Sequence, residues 1–168
     1  MANAVHIEPL QPVHFDRLHQ VFDAVCRERR FMAFTQAPPV EQTHGYYRAV
    51  VAAGHTHFVA VQGDAVLGWC DVLPLAGQMR AHAGVLGIGV AASARGRGVG
   101  RQLITAAISG ASQRGLHRIE LQVVAHNRVA QALYRQVGFE HEGTQRRAWC
   151  HDGVYFDVLH MARNGPAA

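Results

Sequence analysis

Residues 95–104 read RGRGVGRQLI, three arginines and three glycines running into an apolar, helix-like pattern. The chemistry open to such a stretch is anion binding. Residues without side chains let main-chain N–H groups point outward. The first amides of a helix have no partner inside it, and the helix dipole adds positive potential there. Arg95, Gly98 and Gly100 spell R-x-x-G-x-G, with Gly96, Arg97, Val99 and Arg101 interleaved and following. Taken alone, the loop either cradles a pyrophosphate or merely lets the chain reverse. A Walker-type phosphate loop is excluded, because it needs a lysine and all 16 basic residues here are arginine. Residues 87–92 (GIGVAA) match a dinucleotide fingerprint, but the helix opens later, near Gly98. Positions 107–113 also lack the acidic residue that such a site needs.

Other groups able to ligate or attack are sparse. Among twelve histidines only His55 and His57 are closely spaced, without a cysteine or carboxylate cluster nearby. An HxH pair on a strand reads as two solvated imidazoles, so no metal is expected. Cys26, Cys70 and Cys150 are too few and too scattered for a disulfide framework and read as packed or inert thiols.

These residues belong to a chain of 168, the length of one domain, with its core over about 5–163. With 49% hydrophobic and 17% charged residues the composition is globular rather than disordered. The net charge is +4, with arginines spread along the chain. That spread suits a solvated surface or an anionic small molecule better than nucleic acid. No long uncharged apolar run and no basic leader are present, so a cytoplasmic protein without a membrane span is expected. Arginine in place of lysine, with abundant Ala, Gly and Val, points to a GC-rich bacterial genome.

The elements that position the loop follow from periodicity. Strands are predicted at 5–10, 56–62, 65–75, 84–90, 118–124, 139–149 and 154–162. Phe15, Leu18, Phe22 and Val25 fall at helical spacing, and Pro38-Pro39 marks a loop before a second helix over 41–53, where Tyr47, Val50 and Val51 share a face. A third helix opens near Gly98 with Val99, Leu103, Ile104, Ala107, Ile108 and Ala111 as its apolar stripe. A fourth covers 128–137 and is capped by Gly138. Hairpins and strand–helix–strand units together predict an α/β (α+β) fold with a mixed sheet.

The stretch GVLGIGVAASARGRGVG resembles the bulged strand and pyrophosphate loop of the GNAT acetyltransferases. LQVVAHNRVAQALYRQVGFEHEG is similar to the family's second block, at Asn127, Ala130, Leu133, Tyr134, Gly138 and Phe139. The tail from Glu142 resembles members that act on amino acids or on protein N-termini. The resemblance implies a GNAT-like acyl-CoA N-acyltransferase fold of about seven strands and four helices. It implies acetyl-CoA (coenzyme A) as co-substrate and a primary amine as acceptor, possible homodimers, and an enzyme that acts through a ternary complex. The main chain of Arg97, Gly98, Val99 and Gly100, beside Arg95 and Gly96, is then to bind the pyrophosphate. The strand edge at Ile88, Gly89 and Val90 is to pair with the pantetheine amides. Asn127, with Ala130 beside it, is to hydrogen-bond the cofactor arm.

Acetyl transfer to an amine needs a neutral nucleophile, donors for a developing oxyanion and a proton for the departing sulfur. Main-chain amides near Ile88–Val90 are the candidate donors. Tyr134, placed near the sulfur by the resemblance, is either the general acid or an amphipathic core tyrosine. The base is open. The strand GVLGIGV carries no carboxylate, although some members of the family place a glutamate there. Glu120 either faces the cleft through water or is a solvated strand residue. Glu28 either attracts an ammonium group or pairs with Arg29 or Arg30, and Phe31 and Phe34 form pocket walls or core. The acceptor is expected to be an amino acid or analogue. The alternatives are a ribosomal-protein-type N-terminal acetyltransferase and a non-catalytic acyl-CoA-binding module.

Overall fold

Among the described residues, apolar period and turn chemistry produce seven strands and four α-helices, each within about two residues of the expected bounds. The structure, a computed structural model, describes residues 4–166. The strands are β1 (His6–Pro9), β2 (Thr56–Gln62), β3 (Ala65–Pro74), β4 (Ala83–Val90), β5 (Arg118–Val124), β6 (Glu140–His151) and β7 (Val154–Asn164). The helices are α1 (Phe15–Arg27), α2 (Val40–Ala52), α3 (Val99–Gln113) and α4 (Arg128–Gln136). The sheet order is β1-β2-β3-β4-β5-β7-β6, antiparallel throughout except where β4 meets β5. A parallel pair needs a crossover, and α3 supplies it.

The two faces of the sheet carry separate cores. On one, Val99, Leu103, Ile104, Ala107 and Ala111 of α3 pack with Cys70, Val72, Leu86, Ile119 and Leu121. Burying a Val, Leu or Ile side chain contributes about 1.5–3 kcal/mol, so this stripe anchors the helix whose first turn forms the loop. On the other face, Phe15, Leu18 and Val25 of α1 and Tyr47 of α2 pack on Val59, Val66 and Trp69. Val51 departs from expectation: it is exposed, whereas Tyr47 and Val50 are buried. Among the described residues no helix is long and apolar enough to cross a membrane.

One feature of the sheet shapes everything near the loop. β4 and β5 pair only at Ala83↔Arg118, Gly84↔Ile119 and Val85↔Glu120, although β4 runs on to Val90 and β5 to Val124. Beyond Val85 the two strands diverge, and a split opens in the middle of the sheet below the start of α3.

Candidate functional site

The loop above the split has the backbone of an anion cradle. Gly96 (φ +72°) and Gly98 (φ +78°) both lie in the left-handed region, and Gly98 caps α3. A Cβ at either would meet nothing within 4 Å. Glycine is therefore required by the backbone conformation, not by crowding. Left-handed residues between right-handed ones turn successive N–H groups toward one concavity. The amides of Val99, Gly100 and Arg101 follow at the open end of the helix, and Gly100 lies close to Leu133 of α4. The residues present therefore fit a pyrophosphate. Arg97 donates to Gln62 and Arg101 to Gln136, so both guanidinium groups stand near the loop.

Arg95 does something else. Its Nη1 and Nη2 donate to Glu28 Oε2 and Oε1 at 2.8 and 2.5 Å, and its Nε donates to the Val90 carbonyl at 3.0 Å. Its guanidinium also lies 5.2 Å from the centre of the Phe31 ring. Arg95 thus straps the end of α1 to the strand–loop junction instead of adding free charge for phosphate. This corrects the expected partner of Glu28, which is Arg95 and not Arg29 or Arg30. The Arg95 hydrogen bonds hold the Glu28 carboxyl below the usual carboxylate range.

Strand geometry decides which amides reach the split. Ala91 donates to the Leu67 carbonyl at 2.8 Å, and Leu75 to the Ala83 carbonyl at 3.0 Å. With the β3–β4 register unbroken between them, hydrogen-bonded pairs alternate through Leu73/Val85, Asp71/Gly87 and Trp69/Gly89. The amides of Ile88 and Val90 therefore turn away from β3 into the split, but that of Gly89 does not. Gly89 has another use. Its face lies under the Trp69 indole, and any Cβ there would overlap the ring.

The remaining expected residues sort as follows. Asn127 caps α4 and accepts from the Ala130 amide at 3.2 Å, which leaves its side-chain NH2 as the donor. Tyr134 is buried against Phe139, ring centres 5.9 Å apart, and burial pushes its phenol far above the ordinary value. Its hydroxyl is thus protonated at neutral pH. Glu120 sits where β4 and β5 are still paired and is bound by Arg118 Nε at 2.8 Å, while Arg118 also grips Glu142.

Phe31 lies under the guanidinium groups of Arg30 and Arg95, and Phe34 is exposed. His57 overturns the expectation of a solvated imidazole. It is buried against Tyr47, and burial lowers its pKa to about 4. Cys26 and Cys70 are buried, whereas Cys150 is exposed on the rim of a cleft. That cleft is lined by Arg29, Arg30, His126, Trp149, His151 and Phe156 among others, with His126 Nε2 donating to the Arg30 carbonyl at 2.9 Å. Among the described residues no group of three or more potential metal ligands gathers.

One group escaped the sequence reading. Asp71 on β3 is 8% exposed, and its Oδ2 accepts from the Tyr46 hydroxyl at 3.3 Å. Its Oδ1 lies 2.8 Å from where a Cβ of Gly87 would stand. Burial raises the carboxyl to about 7. The available signal was one carboxylate inside the otherwise apolar run AVLGWCDVLPL.

Known proteins share this architecture. The model of the acetyltransferase (GNAT) family matches residues 18–139. A mycothiol acetyltransferase from Kocuria rhizophila is 42% identical over 79 residues, 46% of this chain. The alignment spans only 26% of that protein, so the chain covers about a quarter of the relative's length. The N-alpha-acetyltransferase RimI of Mycobacterium tuberculosis is 34% identical over 115 residues, 68% of this chain and 70% of that one. The crystal structure of a ribosomal-protein-alanine N-acetyltransferase from Brucella melitensis superposes with a TM-score of 0.89 at 24% identity, over 95% of this chain and 99% of that one. The family match runs from α1 through Phe139 and takes in the loop, the split and α4 together, and the chain belongs to the acetyltransferase (GNAT) family.

Proposed function

We propose that this protein moves the acetyl group of acetyl-CoA to the primary amine of a small, carboxylate-bearing acceptor, an amino acid or an analogue of one. The observation that carries the acceptor class is the cleft wall formed by Arg29 and Arg30, two exposed guanidinium groups just beyond α1. Guanidinium pairs with carboxylate in bidentate geometry, and His126, Trp149 and Phe156 supply the rest of the wall. Acetyl-CoA supplies an activated acyl group as a thioester. The left-handed glycine loop and the first turn of α3 hold its pyrophosphate. The Ile88 and Val90 amides, turned into the split, bind the pantetheine as an added strand would and offer a donor to the charge developing on the carbonyl oxygen. Tyr134, kept protonated by burial, donates to the departing sulfur.

A second reading is acetylation of peptide N-termini. The RimI relative, 70% of which the chain covers, is an N-alpha-acetyltransferase, and this supports it. One experiment separates the two. Thiol release from acetyl-CoA is measured across amino acids, their decarboxylated analogues, polyamines and short peptides, with the wild type and with Arg29→Ala and Arg30→Ala. The proposal expects amino acids to lead the panel, and expects the arginine variants to raise KM for them several-fold while leaving decarboxylated amines unaffected. Preference for peptides would favour the second reading. No transfer to any amine would refute both and leave an acyl-CoA-binding module.

A further inference from the structure

We propose that Asp71 is the base that takes a proton from the acceptor's ammonium group, with Tyr46 positioning its carboxylate. The inference rests on the amine-acetyltransferase reading above and supplies the proton acceptor that reading lacks. The other two carboxylates considered are already engaged, Glu28 by Arg95 and Glu120 by Arg118. Among the described residues Asp71 meets no guanidinium: its carboxylate accepts a long hydrogen bond from Tyr46 on α2 and one from its own main-chain N–H.

Position favours it. Asp71 pairs with Gly87 across β3 and β4, and Ile88 is the next residue, whose amide turns into the split. A strand spacing of about 4.8 Å and a rise of about 3.4 Å per residue put Asp71 and Ile88 about 6 Å apart, Cα to Cα. Asp71 Oδ1 reaches over Gly87 onto β4 itself, and a guest paired along the far edge of β4 lies one strand spacing, about 4.8 Å, beyond that strand, which is room for the amine nitrogen or for a water and the nitrogen. Gly87 makes the approach possible, because any side chain there would run into Oδ1. Gly87 and Gly89 together leave the α1–α2 face of β4 bare, with Asp71 and Trp69 leaning over it from β3. The strand β4 carries no carboxylate of its own; this one stands on the neighbouring strand and reaches across glycine.

Energetics agree. A buried carboxylate with so little compensation destabilises a fold, and an apolar residue would pack at lower cost. Perturbed groups of this kind cluster where protons move. The groups facing Asp71 are few. From β2 it meets His57, in register opposite, and from α2 Tyr46 and Tyr47, with Cys26 of α1 behind Tyr47. β4 contributes only glycine. His57 is kept neutral by burial, so among the described residues no cation neutralises the carboxylate.

The protons balance. The ammonium gives one to Asp71, and the freed lone pair forms the N–C bond. The C–S bond breaks with its electron pair on sulfur, which takes a proton from Tyr134. The nitrogen loses a second proton as the amide forms, and this restores the phenol through solvent. Asp71 returns its own proton to water.

The test is kcat/KM against pH for the wild type, Asp71→Asn and Tyr46→Phe, with the best amine of the panel, alongside acetyl-CoA titration of each. The wild type should show an acid limb near 7. Asp71→Asn should lose about 100-fold or more at pH 7 and lose that limb, with acetyl-CoA affinity unchanged. Its deficit should shrink as pH approaches the amine's own pKa. Tyr46→Phe removes a hydrogen bond that favours the ionised carboxylate, so its limb should move to higher pH. A wild-type rate and limb in Asp71→Asn would overturn the assignment while the transferase reading stands. Wild-type protein that acetylates no amine would overturn both. If Asp71→Asn does not fold, an unmoved limb in Tyr46→Phe overturns the assignment.

Discussion

Replacing Asp71 with asparagine should make the folded protein more stable at alkaline pH, although the substitution falls in the buried interior. Burial raises the native carboxyl to about 7, against about 3.9 in an unfolded chain. Between those values the native state holds a proton that the unfolded chain has released. Folding stability is therefore lost as pH rises through about 4 to 7. Three units at 1.36 kcal/mol each amount to about 4 kcal/mol once both states are ionised. Asparagine is nearly isosteric, never ionises, and keeps an oxygen to accept from Tyr46. Urea unfolding of the two proteins at pH 5 and pH 8 isolates the effect, because every other titrating group is common to both. The advantage of Asp71→Asn should widen by about 3 kcal/mol between those two pH values. A difference that stays flat would mean that Asp71 is solvated or compensated in the native state, and the argument for its role would fail with it.

Three further outcomes are expected. Gly98→Ala places a Cβ at φ +78°. It should cost about 1–2 kcal/mol of stability by urea unfolding and weaken acetyl-CoA binding at least tenfold by calorimetry; unchanged binding would detach the loop from the pyrophosphate. Tyr134→Phe should lower kcat by about 10-fold or more and leave acetyl-CoA affinity intact, as measured by steady-state kinetics beside titration. Glu28→Gln should cost about 0.5–1 kcal/mol, the value of a partly exposed pair. That loss should shrink in high salt, as read from thermal unfolding at two ionic strengths.

The elements were legible because each is set locally. β2 and β5 fall at the expected residues, 56–62 and 118–124, since a β-rich run closed by a turn defines the first and alternation the second. The loop was legible because its chemistry lies within six consecutive residues. What escaped depends on contacts distant in sequence. Arg95 lies 67 positions from Glu28, and nothing near either residue shows that they meet. Asp71 gains its meaning only when the β3–β4 register sets it over Gly87 and α2 brings Tyr46 down upon it. His57 was misread for the same reason. Two histidines at the start of a strand read as solvated, but α2 covers that face, and only the Tyr47 contact reveals it. Gly89 shows a subtler limit. The resemblance sets it beside Ile88 and Val90 on the pairing edge, yet only the hydrogen-bond phase shows that its amide belongs to β3.

The three rungs that join β4 to β5 have a consequence for the lifetime of the protein. The sheet is two panels stitched at one end, and a guest that bonds along β4 laces them further. Ile88 and Val90 should then exchange their amide hydrogens more slowly with the thioester present than without it. At a hundred times its dissociation constant such a guest adds about 2.7 kcal/mol to the folded state. Starvation for acyl donor would loosen the seam and shorten the protein's survival against proteases, so its abundance would follow the metabolic supply that it consumes.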